Sequence, residues 1–110
     1  MKVCELAKEI GAEYLNKADT EKVISSGFVC DLLSWAMAKG KSGMAWVTVQ
    51  SHLNVIAIAA LHDISCVVLP ENINMEQSVI DKANEEGINI LVSGLSAYEI
   101  CGILYKNGVK

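Results

Sequence analysis

Between Met44 and Pro70 the chain reads MAWVTVQ, SHLNVIAIAALHD, ISCVVLP. Two β-branched apolar runs flank a continuous apolar, alanine-rich segment. Short β-branched runs favour strands, and a longer apolar run between them favours a buried helix. The stretch is expected to form strand Met44–Val49, helix Ser51–His62 and strand Ser65–Leu69, with Pro70 ending the unit. Its polar break is Gln50, Ser51, His52 and Asn54, where the first strand hands over to the helix.

The same rhythm extends in both directions. Val3, Leu6, Ala7 and Ile10 fall at i, i+3, i+4 and i+7, one face of a short helix over Lys2–Ile10, stopped by Gly11. Ala12–Leu15 has the composition of a short strand, and Asn16–Thr20 reads as a turn. Glu21–Ser26 reads as a strand ending in the small-residue loop Ser25-Ser26-Gly27. Phe28–Lys39 reads as a helix that is apolar nearly all round, and so is buried on more than one side or packed on a second subunit. Asn74 is expected to cap a helix running to about Glu86, which Gly87 ends. Asn89–Val92 is a strand. Ser96 and Glu99 form a capping box for the last helix, Ala97–Lys106. Alternation of short strands with helices predicts an α/β fold. Residues 1–110 are expected to form one layered domain, a mainly parallel sheet of four to five strands with helices on both faces.

Composition narrows what such a domain does. Of 110 residues, 52% are hydrophobic, and the mean hydropathy is +0.33. An apolar excess in a short chain is often hidden in a subunit interface, so a homodimer is expected. No apolar run approaches the roughly 18 residues that span a bilayer, and the N-terminus lacks a signal-peptide core. A cytoplasmic protein without membrane contact is expected. The net charge is −4 and the basic residues are scattered, which disfavours nucleic acid as a partner. Cys4, Cys30, Cys66 and Cys101 lack C-x-x-C spacing, so they are expected to be buried, reduced and metal-free. No cofactor is implied.

Ligands of open α/β sheets bind at the carboxyl ends of the strands, where loops and helix N-termini converge. The residues expected there are Ser26, Gln50, Ser51, His52, Asn54, Asn72, Ser93 and Ser96, a rim rich in hydroxyls and amides. Such a rim suits a small polar or anionic ligand, and the same residues also suit helix caps and turns. His52 has the chemistry of a general base or phospho-acceptor, but Ser26 and Asp31 do not complete a triad with it in sequence. Gly40-Lys41-Ser42-Gly43 lacks the spacing of a phosphate-binding loop and follows a helix rather than a strand.

Three stretches carry a family resemblance: ISSGFVCDLLS at Ile24–Ser34, AWVTVQSHLNVIAIAAL at Ala45–Leu61, and SAYEICGILY at Ser96–Tyr105. Through them the chain, from about Val3 to Val109, resembles the DRTGG domain. It looks most like the short stand-alone members labelled as related to the serine kinase that modifies the phosphocarrier HPr. The resemblance implies a non-catalytic regulatory module, found alone or joined to CBS pairs or enzymes. The ligand of such domains is generally not defined, and the polar edge is read here as sensing a nucleotide or phosphorylated metabolite; the resemblance suggests a redox-enzyme or signalling protein as partner. The Asp-Arg-Thr-Gly-Gly signature is absent, and Gln50-Ser51-His52 stands where many relatives carry a Gly-Asp-Arg turn. Kinase activity does not carry over, because neither a phosphate-cradling loop nor metal-binding carboxylates can be read. The alternatives to ligand sensing are a phosphotransfer acceptor or small enzyme using His52, and a docking subunit with no small ligand.

Overall fold

The computed structural model describes residues 1–110. Its centre is the expected strand–helix–strand unit: β3 (Met44–Val47), α3 (Leu53–His62) and β4 (Cys66–Leu69). All eight residues of β3 and β4 are buried, as befits inner strands covered on both faces. Successive side chains point to opposite faces. Met44, Trp46, Val67 and Leu69 enter one core, while Ala45, Val47, Cys66 and Val68 enter the other. Trp46 is fully buried, and its indole N–H donates to the Cys30 carbonyl at 2.9 Å.

Around this unit lie α1 (Val3–Glu9), β1 (Glu13–Asn16), β2 (Ser26–Val29), α2 (Leu33–Lys39), α4 (Gln77–Glu86), β5 (Ile90–Val92) and α5 (Ala97–Lys106). The sheet order is β1-β5-β4-β3-β2, with β2 to β5 parallel and β1 antiparallel to β5. From β2 to β5 the chain steps one strand at a time in one direction. Right-handed crossovers therefore put α2, α3 and α4 on one face. Residues of α1 and α5 fill the core on the other face.

The segment 12–39 departs from the sequence reading. The strand expected at Glu21–Ser26 lies later, at Ser26–Val29, and the helix expected from Phe28 begins only at Leu33. Phe28-Val29 is too short an apolar run for periodicity to separate strand from helix. The register with β3, Phe28 opposite Trp46 and Val29 opposite Val47, decides it. Asn16, expected in a turn, ends β1. It is buried, with its amide donating to the Ile88 carbonyl at 2.8 Å. Helix α4 is capped at Glu76 rather than Asn74, without a side-chain cap bond. No helix is long and apolar enough to cross a membrane.

Burial follows the sequence reading in α3 and departs from it in α2 and the cysteines. The alanine-rich α3 is buried as expected, with Val55, Ile56, Ile58 and Ala59 between the sheet, α2 and α4. The open face belongs to α2, where Ala36 alone is buried. Of the cysteines only Cys66 is buried, and desolvation pushes its thiol up to about 12. The other three are partly exposed, and none is in a disulfide.

Candidate functional site

The β3–α3 junction is built on a carboxylate. At the end of β2, Asp31 Oδ1 accepts from the Thr48 hydroxyl at 3.0 Å and from the Val49 amide at 2.9 Å. Thr48 Oγ1 in turn accepts from the Gln50 amide at 3.1 Å, and the Gln50 side-chain amide donates to the Asp31 carbonyl at 3.0 Å. One acidic residue thus holds the exits of two neighbouring strands in register and fixes the turn leading to α3.

His52 is the N-cap of α3. Its Nδ1 accepts from the Asn54 amide at 3.1 Å, so in this arrangement the ring proton sits on Nε2. No carboxylate or hydroxyl is bonded to the ring, and Nε2 has no protein partner.

Val49, Gln50, Ser51, His52 and Leu53 form one wall of a cleft of about 340 Å³. The other wall is the start of α4: Glu76, Ser78 and Val79. Two helix N-termini meet here, and the first amides of a helix have no partner inside it. The Leu53, Gln77 and Ser78 amides make no bond to the protein, and neither do the Ser51 and Ser78 hydroxyls. Apart from His52, Glu76 is the only ionisable group lining the cleft. No lysine stands in the loops leaving β2, β3, β4 or β5.

The other expected rim residues lie apart. Asn54 faces a second groove, lined with Leu33, Ser34, Met37, Ala57 and Ile58 between α2 and α3. Asn72, Ser93 and Ser96 gather at the ends of β4 and β5. There the Asn72 amide donates to the Ser93 carbonyl and the Glu71 amide to the Leu95 carbonyl, both at 2.9 Å. Glu71 and Asn72 take left-handed backbone angles to do so, with φ of 56° and 58°. The chain leaves β4 toward one face and β5 toward the other, and these bonds close the crevice this divergence would open. Ser93 is buried; its hydroxyl donates to the Ile10 carbonyl at 2.6 Å and accepts from the Leu95 amide at 3.1 Å. Ser96 caps α5, in the expected box with Glu99. Ser26 is a correction of place: it begins β2, opposite Met44, and so stands at the amino edge of the sheet.

Asp31, Thr48, Glu76 and Ser78 escaped the sequence reading. Asp31 is the one charged residue within Phe28–Met37, and such a polar break marks a strand exit once β2 is placed correctly. Glu76 and Ser78 open the helix after β4, the same edge position that singled out Gln50–His52. No three His, Cys, Asp or Glu side chains converge to hold a metal. The loop Gly40–Gly43 lies at the amino edge, after the C-terminus of α2, where the helix dipole repels phosphate.

No family model and no curated protein matches the sequence. A solved structure does match: the crystal structure of the CBS and DRTGG domains of the regulatory region of Clostridium perfringens pyrophosphatase, complexed with its activator diadenosine tetraphosphate. The likeness has a TM-score of 0.73 at 10% identity and covers 94% of this chain and 45% of that one. The chain has a DRTGG-domain-like fold. At that identity the likeness concerns the fold alone, and this DRTGG-like domain spans less than half of its neighbour's length.

Proposed function

We propose that this DRTGG-like domain is a non-catalytic regulatory module that senses a small polar ligand in the cleft between the β3–α3 junction and the start of α4. The observation that carries this reading is the gathering of unpartnered hydrogen-bonding groups on both walls. They are the Ser51 and Ser78 hydroxyls, His52 Nε2, and the amides of Leu53 and Ser78. A preformed concave site with a few convergent polar groups is the usual form of a small-molecule site. The absence of lysine and the presence of Glu76 favour a neutral, hydrogen-bonding moiety against the α4 wall. A nucleobase or sugar suits that wall, with any phosphate directed to the α3 amides. The activator bound in the structural neighbour supports a nucleotide as the class to try first. A non-catalytic role fits His52, which spends Nδ1 on its own helix and has no acid beside it. A regulatory module acts through a partner, and the uncovered α2 supports a second copy of the chain in that role.

A thermal-shift screen against mono- and dinucleotides and phosphorylated metabolites tests the reading. A ligand at a hundred times its dissociation constant adds about 2.7 kcal/mol, a rise of several degrees in a domain of this size. The shift should be lost in Ser51→Ala and Ser78→Ala, whose hydroxyls hold nothing in the fold. No shift with any compound, or a shift both variants retain, counts against the cleft. His52 keeps a free Nε2, so intact-mass measurement after incubation with phosphodonors belongs in the same experiment. A gain of one phosphoryl group, absent in His52→Ala, would replace sensing with phosphotransfer.

A further inference from the structure

The sheet ends in β1 on one side and in β2 on the other. β2 is the last strand on its side, and its sequence Ser-Gly-Phe-Val has no charge, no proline and no bulge. An exposed strand edge is a template for pairing with another strand, and monomeric proteins blunt such edges. Here the surroundings are sticky on both faces of the sheet. On the α5 face a groove of about 200 Å³ runs along Gly27–Val29, lined by Cys101, Leu104, Tyr105 and Val109. Val29 is 55% exposed and Tyr105 63%. On the other face lies α2. Ala36 points to the sheet, while Leu33 and Met37 face the groove against α3. At 100° per residue, Leu32, Trp35 and Lys39 then project away from α3, toward the free edge. Leu32 is 63% exposed and Trp35 51%.

We infer that the β2 edge is the interface of a homodimer in which the β2 strands of two copies pair antiparallel about a two-fold axis, making one continuous ten-stranded sheet. The inference assigns an interface to the homodimer of the functional reading and does not depend on the ligand cleft. Charge selects a second copy in this orientation. Asp31 lies just beyond the carboxyl end of β2. Beside its amino end lie Lys39, at the end of α2, and Lys41, in the loop whose Gly43 carbonyl accepts from the Ser25 amide. Lys110 lines the groove beside Gly27. Asp31 Oδ1 is held by Thr48 and Val49, but the residue is exposed and Oδ2 has no bond within the chain, so antiparallel pairing sets the acid of each copy at the end of the edge where Lys41 and Lys39, the latter over the Trp35 ring, stand in the other. A parallel partner copy would set Asp31 against Asp31. Val29, Leu32, Trp35 and Tyr105 leave roughly 450 Å² open per copy, and pairing the backbones between them approaches the ~800 Å² per partner of a standard interface. A C2 contact closes on itself, so the edge is used up rather than left to propagate.

Sedimentation velocity across the micromolar range reads the assembly directly. Wild-type protein is expected at twice the 11.9 kDa chain mass. Val29→Lys and Trp35→Glu should each weaken the dimer by about tenfold or more, with unchanged far-ultraviolet circular dichroism. Glu13→Lys, on the opposite edge strand, should leave the dimer intact. Hydrogen exchange at the 26–29 amides should slow as concentration rises in the wild type and not in the two variants. A monomer at all concentrations overturns the proposal and the homodimer together, even if β2 then captures another protein's strand. A dimer that survives both variants, or that Glu13→Lys weakens equally, overturns this interface and keeps the dimer. The ligand-induced thermal shift is read on Ser51 and Ser78, away from this edge, so failure of either reading is seen separately.

Discussion

The two edges of one sheet are finished in opposite ways. Both edge strands have four residues, but β1 carries Glu13, is followed by Lys17, and shifts register between Tyr14 and Asn16. Charge and irregularity of this kind discourage pairing with another chain. Behind it lies a set of buried asparagines. Asn16 donates to Ile88 and accepts from Asn84. Asn89 accepts from the Ala18 amide and donates to the Asp19 and Ser65 carbonyls. At β2 there is no such guard, and large apolar side chains stand open on either side. One edge is guarded by charge and irregularity, and the other is left in the condition of a strand awaiting a neighbour.

The comparison can be broken where the effect should be largest. Asn89→Ala removes one acceptor and two donated bonds from a residue that is 2% exposed. Stranding the buried Ser65 carbonyl and loosening the part-buried bonds to Ala18 and Asp19 should cost about 1–3 kcal/mol, measured by urea unfolding. A loss under about 1 kcal/mol would mean that water replaces the asparagine and that β1 is not stitched down as described. The β2 variants sharpen the contrast from the other side. Measured at concentrations where the protein is monomeric, Val29→Lys and Trp35→Glu should each cost no more than about 1 kcal/mol, because both residues are half exposed in the single copy and Trp35 gives up only its contact with the Lys39 ammonium. A large loss would make them members of the core and not of an interface.

The smallest effect concerns the segment leading into β2. Lys22 pairs with Asp63 at 2.6 Å, and this hydrogen bond and charge hold the Asp63 carboxyl below its ordinary value of 3.8. A depressed folded-state value contributes stability that is present above the unfolded value and lost as pH falls through the folded one. The Asp63 side chain is 70% exposed, so solvent screening leaves only about a few tenths of a kcal/mol. The gap between wild type and Asp63→Asn should therefore be small at neutral pH and vanish below the carboxylate range. A gap that grows toward acid would contradict the sign.

The parts of the fold legible in sequence are those where local pattern and burial agree. β3, α3 and β4 carry long apolar runs because they are covered on both faces, and their order and type follow from those runs. α5 announces itself through Ser96 and Glu99. Residues 21–39 misled because β2 is an edge strand of four residues, half exposed, which shows neither alternation nor a long buried run. Its true end is marked by Asp31, whose carboxylate bonds to residues 48 and 49, a contact between strands that no local spacing reveals. The rim was legible as an edge but not as a site. Gln50, Ser51 and His52 do share a cleft. Asn72, Ser93 and Ser96 belong to a crevice that the chain has closed on itself, and Asn54 and Ser26 face elsewhere. Which rim residues meet depends on backbone angles at Glu71 and Asn72 and on the placement of Glu76 and Ser78, all tertiary facts.

The central claim is that a small ligand is read in the cleft between Gln50–Leu53 and Glu76–Val79. Titration of the labelled domain with the best compound of the thermal screen, followed by amide and imidazole nuclear magnetic resonance, tests it most directly. Saturable shifts should concentrate at the Leu53 and Ser78 amides and at His52 Nε2. Shifts gathered instead around Asn72, Ser93 and Ser96, or spread without a focus, would contradict it.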